Sequence, residues 1–299
     1  MYINYVSSAD INGGYYMGKF RQYKRFYQDL SIQPYLPDTA LCNPAILESF
    51  LDKYHTVFIK PTGGGRGVGV TKAWKQNNQY AYVIERGQPV YCSSVPEMYQ
   101  KLNLAAKKPH VVQRGIQLAQ VQGRPYDMRL MMMRDTNKKW QYVAMLAKVA
   151  GVKSIITNVA RGGGYTITVE EALNQSLNIT GEKATKVKNE MIRLGHNCNR
   201  VYSRYRYDWQ IGYDIAIDTN GKLWLIEANP RTPSHFLFAR LKDKTQYRKI
   251  KRMAFLYKSS VKNPLNESKQ QNPKKQTNVK LNNKPIQSSL EKTKMVSNS

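Results

Sequence analysis

The alternation of apolar and polar residues predicts strands and helices in the first half of the chain. The run "HTVFIKP" at residues 55–61 is typical of a short buried strand that ends at its proline. Residues 79–92 alternate well enough to predict a second strand region. Residues 94–108 open with Ser, Pro and Glu, a start that favours a helix.

The second half predicts three strands, a long helix and a hairpin. The segments at 110–116, 126–135 and 138–150 resemble strands, and the last two flank the turn-forming "DTNKK". Within 183–204, apolar residues recur at alternating spacings of four and three, which predicts an amphipathic helix with a core-facing stripe. Residues 213–230 hold two apolar runs around "DTNGK", whose Asn-Gly pair favours a tight turn.

The composition indicates a globular protein without a metal or disulfide framework. With 299 residues, 41% of them hydrophobic, the chain can bury the core of one large or two smaller domains. No stretch approaches the roughly 20 apolar residues that span a bilayer, and no signal peptide is evident, so we expect a cytoplasmic protein without a transmembrane segment. The three cysteines and four histidines are scattered, which argues against disulfides and zinc.

The formal net charge of +27 predicts an anionic partner such as a nucleotide, a nucleic acid, an anionic polymer or an acidic membrane surface. From Lys258 onward there are nine lysines and two acids, so +7 belongs to this end and +20 to the body. The stretch 258–299 is poor in aromatics and rich in Lys, Asn, Gln and Ser, which predicts a disordered basic tail.

Five glycines at 63–69 follow Lys60 and suggest a phosphate-binding loop. Closely spaced glycines let backbone N–H groups approach phosphate oxygens, and a lysine at the end of a strand can neutralise them. The loop matches neither GxxxxGK[ST] nor GxGxxG, which weakens the P-loop and Rossmann interpretations. A flexible surface turn is the alternative.

The predicted hairpin carries a candidate metal site. Asp214 begins one strand, and Glu227 and Asn229 end the next, so an antiparallel pairing brings the three side chains together. Two carboxylates and an amide oxygen are suitable ligands for Mg²⁺. A solvated strand edge with two acids is the alternative.

A third candidate region lies between these two. Gln113 and the backbone near Ile116 can read an adenine edge, and a carboxylate such as Asp127 can accept both ribose hydroxyls. Each of these signals is weak alone. The evidence for a nucleotide site is their order relative to the glycine loop and the hairpin.

That order resembles the ATP-grasp superfamily over about residues 17–238. It runs from the strand lysine and glycine loop through "QRGI", "GRPYDMR" and "NVARGGG" to the hairpin that ends in "EANPR". Within the superfamily, "LPDTALCN", "VFIKPTGGGRGVGV" and "GKLWLIEANPRTPSHF" are most similar to the YheC/YheD family, described as endospore coat-associated.

The resemblance implies an α+β ATP-grasp fold in which two α+β subdomains clamp the nucleotide. We expect a short N-terminal segment at 1–54, a lid-bearing subdomain at about 55–115, a metal-binding subdomain at 116–257 and the tail at 258–299. ATP-grasp ligases usually carry a complete N-terminal domain that contributes to the acceptor site. Fewer than 60 residues precede the loop here, so the resemblance does not identify the acceptor.

The resemblance also implies the residues that bind ATP and magnesium. Lys60 is similar to the strand lysine that contacts ATP phosphate and adenine, and Lys19 to an earlier nucleotide lysine, with Lys24 as a neighbouring alternative. The ATP-binding candidates are Lys19, Lys60, Gly64, Gly65, Arg66, Gly67, Gln113, Ile116, Asp127 and Asn158. The metal-binding candidates are Asp214, Glu227 and Asn229.

The catalytic candidates are three cations, Arg231, Lys148 and Arg161. Some superfamily members use an arginine at the position of Arg231 to stabilise an acylphosphate step. Lys148 takes a triphosphate-binding role, and Arg161 resembles a substrate or phosphate contact together with Asn158. For Arg129, a cationic strand face is an equally good interpretation.

The leading functional hypothesis is therefore an ATP-dependent carboxylate–amine ligase that works through an acylphosphate, with an unknown carboxylate and an unknown nucleophilic acceptor. An ATP-grasp kinase is one alternative. A second is a spore-associated scaffold that binds an anionic polymer, surface or coat component, which the charge and the basic segment 240–258 favour. Nucleic-acid binding through "RVYSRYRYDW" is a weaker third.

Overall fold

The computed structural model describes residues 18–65, 67–77, 79–106, 109–230 and 233–262. Within these ranges the chain forms two six-stranded antiparallel sheets. The first sheet contains β1 (Thr39–Leu41), β2 (Thr56–Pro61), β3 (Thr71–Gln76), β4 (Gln79–Ile84), β5 (Val90–Cys92) and β6 (His110–Arg114), in the order β1-β6-β2-β3-β4-β5. The glycine loop is the connection between β2 and β3.

Two helices, α2 (Pro44–Tyr54) and α3 (Val95–Lys101), cover one face of the first sheet. Both have strong start signals, since Asn43 accepts a hydrogen bond from the Ile46 amide and Ser94 accepts one from the Glu97 amide. The helix predicted at 94–108 is confirmed in its start, but it ends at Lys101 and the chain continues in turns to residue 106.

The second sheet holds β7 (Gln120–Val121), β8 (Arg124–Arg134), β9 (Trp140–Val149), β10 (Tyr165–Ile167), β11 (Gln210–Ile217) and β12 (Leu223–Asn229), in the order β10-β9-β8-β11-β12 with β7 beside β8. Helices α5 (Val169–Leu177) and α6 (Gly181–Ser203) pack on one face, and α7 (Phe236–Ala239) and α8 (Thr245–Lys262) on the other. A four-residue helix, α4 (Val159–Gly162), lies between β9 and β10.

The methionine-rich strand β8 shows why its sequence is a continuous apolar run. Leu130 and Met132 belong to the core under α6, whereas Met131 and Met133 belong to the core under α8. Because successive side chains of a strand point to opposite faces, a strand covered on both sides is apolar at every position.

The predicted long helix and hairpin are confirmed. Helix α6 spans Gly181–Ser203, against the predicted 183–204, and β11 pairs with β12 across a turn in which Gly221 has a φ of 82°. The basic segment at 240–258 is helical from Thr245, and its apolar residues Ile250 and Ala254 are buried against the second sheet.

Residues 18–54 contact both sheets. Helix α1 (Gly18–Tyr27) and the residues after it pack on the second sheet through Phe26 and Ile32, whereas β1 pairs with β6 of the first sheet. Through these contacts the segment extends the first sheet and adds to the core of the second. Helix α8 continues to Lys262, past residue 258, where the tail was predicted to begin. Residues 263–299 lie outside the described part of the chain.

No helix in the described ranges is long and apolar enough to cross a membrane.

Replacing Gly164 by alanine should destabilise the fold. A Cβ at this position would lie 2.1 Å from the carbonyl oxygen of Val149, and a backbone atom of a central strand cannot move aside cheaply. We expect Gly164→Ala to lower the free energy of unfolding by about 1–3 kcal/mol, as overpacking does. Urea unfolding followed by circular dichroism measures it. Gly63→Ala is the matched control, since a Cβ there meets nothing within 4 Å; equal losses in the two variants would contradict the assigned clash.

Candidate functional site

Four buried charged side chains form a ladder across three adjacent strands of the second sheet. Asp127 on β8 lies opposite Lys148 on β9, and Arg129 on β8 lies opposite Asp214 on β11. All four residues are 5–7% exposed. We call this set the charge ladder.

Asp214 receives more hydrogen bonds than the other acid of the ladder. Arg129 donates to both of its oxygens, at 2.7 and 3.1 Å, and the Lys148 ammonium donates to Oδ1 at 2.8 Å. Lys148 also pairs with Asp127 at 2.9 Å. Lys148 therefore bridges two carboxylates, while Asp214 is shared by two cations.

The two carboxylates of the ladder differ in their pKa values. Burial acts to raise the pKa of Asp214, but Arg129 and Lys148 outweigh it and hold that pKa well below its usual range. Burial raises the pKa of Asp127 above its usual value, because Lys148 and a hydrogen bond from Thr157 do not fully offset the loss of solvent. Asp127 is consequently the easier of the two to protonate.

A β-bulge brings Glu227 opposite Asp214. The register of β11 and β12 shifts between Asp214 and Ile215, so Asp214 pairs with Glu227 whereas Ile215 pairs with Leu225. The extra residue re-aims the end of β12, a common use of bulges at functional sites. The Asn229 side-chain amide donates to Asp214 Oδ2 at 3.1 Å. The three predicted metal-binding residues thus lie together.

The chemistry of these three residues fits a small, hard cation. They offer two carboxylates and one amide, which are the oxygen ligands that magnesium takes in proteins. Among the described residues, no group of three or more His, Cys, Asp or Glu side chains is placed to hold a metal ion. The candidate set therefore depends on Asn229 as its third member.

The first sheet contributes Lys60 and Gln113 from neighbouring strands. The Lys60 ammonium donates to Gln113 Oε1 at 2.6 Å, and Gln113 Nε2 donates to Thr39 Oγ1 at 2.9 Å. These residues belong to β2, β6 and β1, so pairing of the strands fixes the row. Ile116 is half-buried in the linker that follows β6.

The electrostatics of Lys60 place it beside the second sheet. Burial lowers the pKa of Lys60 to about 8, while the charges of Glu227, Asp127 and Asp214 act to raise it and that of Lys19 to lower it. The strand lysine of the first sheet therefore lies within the electrostatic reach of carboxylates of the second.

Lys19 joins the glycine loop to the metal-binding candidates. Its ammonium donates to the Gly64 carbonyl at 2.9 Å and pairs with Glu227 at 3.1 Å, and its backbone N–H donates to the Thr62 carbonyl at 3.0 Å. The ammonium of the alternative, Lys24, lies over the Phe20 ring instead. The geometry favours Lys19.

The glycine loop is open in its middle and fixed near its end. A Cβ on Gly64 or Gly65 would meet nothing within 4 Å, but one on Gly67 would lie 2.9 Å from Ile156 Cδ1. Gly64 and Gly67 have φ values of 83° and 77°, which favour glycine. Arg66 lies outside the described residues.

Arg161 is not in contact with the charge ladder in this structure. Its guanidinium donates to Glu85 Oε2 at 2.9 Å, and its backbone N–H donates to Asn158 Oδ1 at 3.1 Å. Arg231, the third catalytic candidate, lies outside the described residues. Of the three cations predicted to be catalytic, Lys148 thus belongs to the charge ladder. Arg161 pairs with Glu85, which follows a strand of the first sheet.

Three residues of this site were missed by the sequence analysis: Thr39, Glu85 and Thr157. Each is joined to the site by a hydrogen bond with a residue from a distant part of the chain. Arg129 was noticed, but its strand position did not distinguish a surface cation from a buried partner of Asp214. For Glu85 the one available signal was an acid at the end of a strand that follows the glycine loop.

The site as a whole favours an anion. It gathers four cations, Lys19, Lys60, Arg129 and Lys148, around three carboxylates, Asp127, Asp214 and Glu227. The excess of positive charge and the space beside the loop glycines suit a phosphate-bearing ligand.

Comparison with known proteins agrees with this interpretation. A sequence model described as YheC/D like ATP-grasp matches residues 9–261. The Endospore coat-associated protein YheD of Bacillus subtilis (strain 168) is 24% identical over 236 residues, which cover 75% of this chain and 50% of that protein. The chain spans about half the length of this curated relative.

Two solved structures are similar to this chain. N5-carboxyaminoimidazole ribonucleotide synthetase of Thermotoga maritima has a TM-score of 0.44 at 13% identity and covers 80% of this chain and 49% of its own. N5-carboxyaminoimidazole synthetase of Staphylococcus aureus, in complex with ADP, has a TM-score of 0.45 at 10% identity and covers 73% and 45%.

Removing the charge of Asp214 should destabilise the protein strongly. Asp214→Asn leaves Arg129 and Lys148 buried beside a neutral group, and breaking a buried ion pair costs about 3–5 kcal/mol. Asp52→Asn is the matched control, because Asp52 pairs with Lys75 at 2.6 Å on the surface, where a pair is worth about 1 kcal/mol or less. Urea unfolding compares the two variants, and a loss no larger for Asp214→Asn would refute the structural role given to its charge.

Two substitutions should move the pKa of Lys60 in opposite directions. Glu227→Gln removes a charge that raises this pKa, so it should fall further below about 8, whereas Lys19→Gln removes a charge that lowers it, so it should rise. NMR titration of the lysine side-chain carbons measures both, with Lys60→Arg used to assign the signal. Shifts in the same direction would contradict the shared site between the sheets.

Proposed function

The chain belongs to the YheC/D-like ATP-grasp family, and we propose that it is a Mg-ATP-dependent ligase that joins a carboxylate to an amine through an acylphosphate. The observation that carries the proposal is the convergence of Lys60 and Lys19 with Lys148, Asp214 and Glu227 between two sheets and beneath a glycine loop. Cations from both lobes then face one anionic ligand.

Nucleotide binding uses residues of both sheets in this proposal. Lys60 contacts the phosphates. It is held in place by Gln113, whose amide oxygen accepts a hydrogen bond from the Lys60 ammonium at 2.6 Å. Ile116 and the linker backbone take the adenine, and Asp127 takes the ribose. Gly64, Gly65, Arg66 and Gly67 of the glycine loop cover the phosphates.

Magnesium would be held by Asp214, Glu227 and Asn229, whose donor set fits it. When bound, the ion supplies charge screening of phosphate oxygens. Lys148 and Arg129 keep the Asp214 carboxylate ionised and hold it in one orientation. The carboxylate therefore does not need to reorient when the anion binds.

The reaction proposed has two steps. A substrate carboxylate oxygen attacks the γ-phosphorus of ATP, the bond to the β,γ-bridging oxygen breaks and ADP leaves. An amine nitrogen then attacks the acyl carbon, phosphate leaves with the electron pair of the broken C–O bond, and the amine loses a proton. Lys148 and Arg161, with Asn158, neutralise the transferred phosphoryl group, and Arg231 stabilises the acylphosphate step.

The cysteines support a mechanism without a protein nucleophile. Burial raises the pKa of Cys42 to about 12, and it raises the pKa values of Cys92 and Cys198 as well. A thiolate is therefore unavailable near neutral pH, and positioning with charge neutralisation is the means of catalysis that these residues support.

A link with the endospore coat is a further part of the proposal. It rests on the name of the Bacillus subtilis relative, of which this chain spans half. A scaffold that binds an anionic coat component with little turnover is the second candidate, and the charge of +27 favours it. A kinase on the same fold would phosphorylate a hydroxyl instead of activating a carboxylate.

Glu227→Gln should abolish stabilisation of the protein by Mg-ATP. Thermal unfolding with and without nucleotide measures the effect, because a ligand that binds the folded state raises Tm by mass action. In parallel, the wild-type chain incubated with Mg-ATP and mixtures of carboxylates and amines should release ADP and phosphate, and mass spectrometry should find an amide.

Glu48→Gln is the matched control, since Glu48 is an exposed residue of α2 that undergoes the same chemical change. An unchanged nucleotide shift in Glu227→Gln would remove Glu227 from the metal site. A phosphorylated hydroxyl product would replace the ligase by a kinase, and binding without any product would favour the scaffold.

A further inference from the structure

Glu85 connects the glycine loop to Arg161 of helix α4. It directly follows β4 and has a φ of 54°. Its Oε1 accepts the Gly69 N–H at 2.9 Å, and its Oε2 accepts the Arg161 guanidinium at 2.9 Å. One carboxylate therefore holds both the end of the loop and a cation predicted to meet phosphate.

The backbone of Glu85 strengthens this connection. Its N–H donates to the Val70 carbonyl at 2.9 Å, and its carbonyl accepts the Ile155 N–H at 3.0 Å. The next residue, Arg86, forms an antiparallel bridge with Ser154. The position of the Glu85 carboxylate is thus fixed by both lobes, and its left-handed φ is part of that fixed geometry.

We propose that Glu85 is a positioning residue that competes with the phosphates of ATP for Arg161, so that binding of ATP transfers the guanidinium from Glu85 to the phosphates. This inference rests on the proposed nucleotide-binding function. It gives a role to Glu85, an acid that takes no part in the proposed reaction steps.

The strengths of the two hydrogen bonds to Glu85 explain why one can break while the other persists. The ion pair with Arg161 is partly exposed, with side-chain exposures of 44% for Arg161 and 22% for Glu85, so it is weak. A triphosphate carries several negative charges and offers bidentate contacts that suit a guanidinium. The Gly69 amide is neutral and gains nothing from leaving Glu85, so the loop stays anchored.

The charge of Glu85 is available throughout the neutral range. The hydrogen bond from the Gly69 amide lowers its pKa most, burial acts in the opposite direction, and Arg161 lowers the pKa further. Glu85 is itself a poor ligand for an anion, because its carboxylate would repel phosphate. Its contribution to nucleotide binding is therefore made through Arg161 and the loop.

Glu85→Gln separates the two contacts. A glutamine keeps an oxygen that accepts the Gly69 N–H but loses the charge that pairs with Arg161. We expect the Mg complex of a nonhydrolysable ATP analogue to bind about two- to fivefold more tightly, the range that corresponds to an exposed ion pair. Isothermal titration calorimetry measures this, and adenosine, which has no phosphate, should show no change.

Glu85→Ala removes both contacts. Hydrogen exchange of a peptide spanning residues 63–70 should then become faster than in the wild type without any nucleotide, whereas Glu85→Gln should leave it unchanged. This measurement does not depend on activity, and it reports on the loop anchor alone.

A double-mutant cycle tests whether Glu85 acts through Arg161. Arg161→Gln should weaken binding of the Mg complex of the nonhydrolysable ATP analogue, and adding Glu85→Gln to that variant should produce no further gain. Glu48→Gln is again the control for a general effect of lost negative charge.

Unchanged or weaker nucleotide binding by Glu85→Gln would overturn the inference, and so would an equal gain for adenosine or for the Arg161→Gln background. These outcomes leave the proposed function intact, because the wild-type protein still binds nucleotide. Absence of nucleotide binding by the wild-type protein would overturn the proposed function itself, and the inference with it.

Discussion

The neutralisation of Asp214 is the interaction on which the rest of the site depends. A carboxylate in a sheet covered on both faces is costly unless it is paired and hydrogen-bonded. Arg129 and Lys148 come from the next strand and the one after it, so β8, β9 and β11 must keep one register for the charges to meet. The apolar residues that alternate with these charges secure that register, since a slip of one position would bury the charges in the opposite core.

A fixed set of buried charges also decides what the site can attract. In the ladder, two cations balance two carboxylates, so the ladder alone has little net field. Lys60 and Lys19, which come from the first sheet and from α1, face it beside the single acid Glu227. The positive excess therefore arises only where the two lobes meet, and an anion gains most by binding between them. This is a physical reason for a clamp: neither lobe holds the complete set of charges.

Much of this arrangement could be predicted from the sequence, because it depends on local pattern. The hairpin, the long helix α6 and the strand with Lys60 follow from periodicity and turn residues, and the motif order indicated the family that the sequence model matches. The bulge that pairs Asp214 with Glu227 could not be predicted, because it depends on how β12 meets its neighbour. The contacts of Thr157 and Glu85 join segments that are distant in the sequence, so no local pattern predicts them. The division of residues 18–54 between the two sheets was missed for the same reason.

The glycine loop shows how these long-range contacts change the meaning of a local motif. Its first half is held by Lys19, whose ammonium also pairs with Glu227, and its second half by Glu85, which also pairs with Arg161. Each anchor thus joins the loop to an ion pair between an acid and a cation. Under the proposed function, an anion that binds beneath the loop competes with Glu227 for Lys19 and with Glu85 for Arg161, so the two residues that anchor the loop respond to the same ligand.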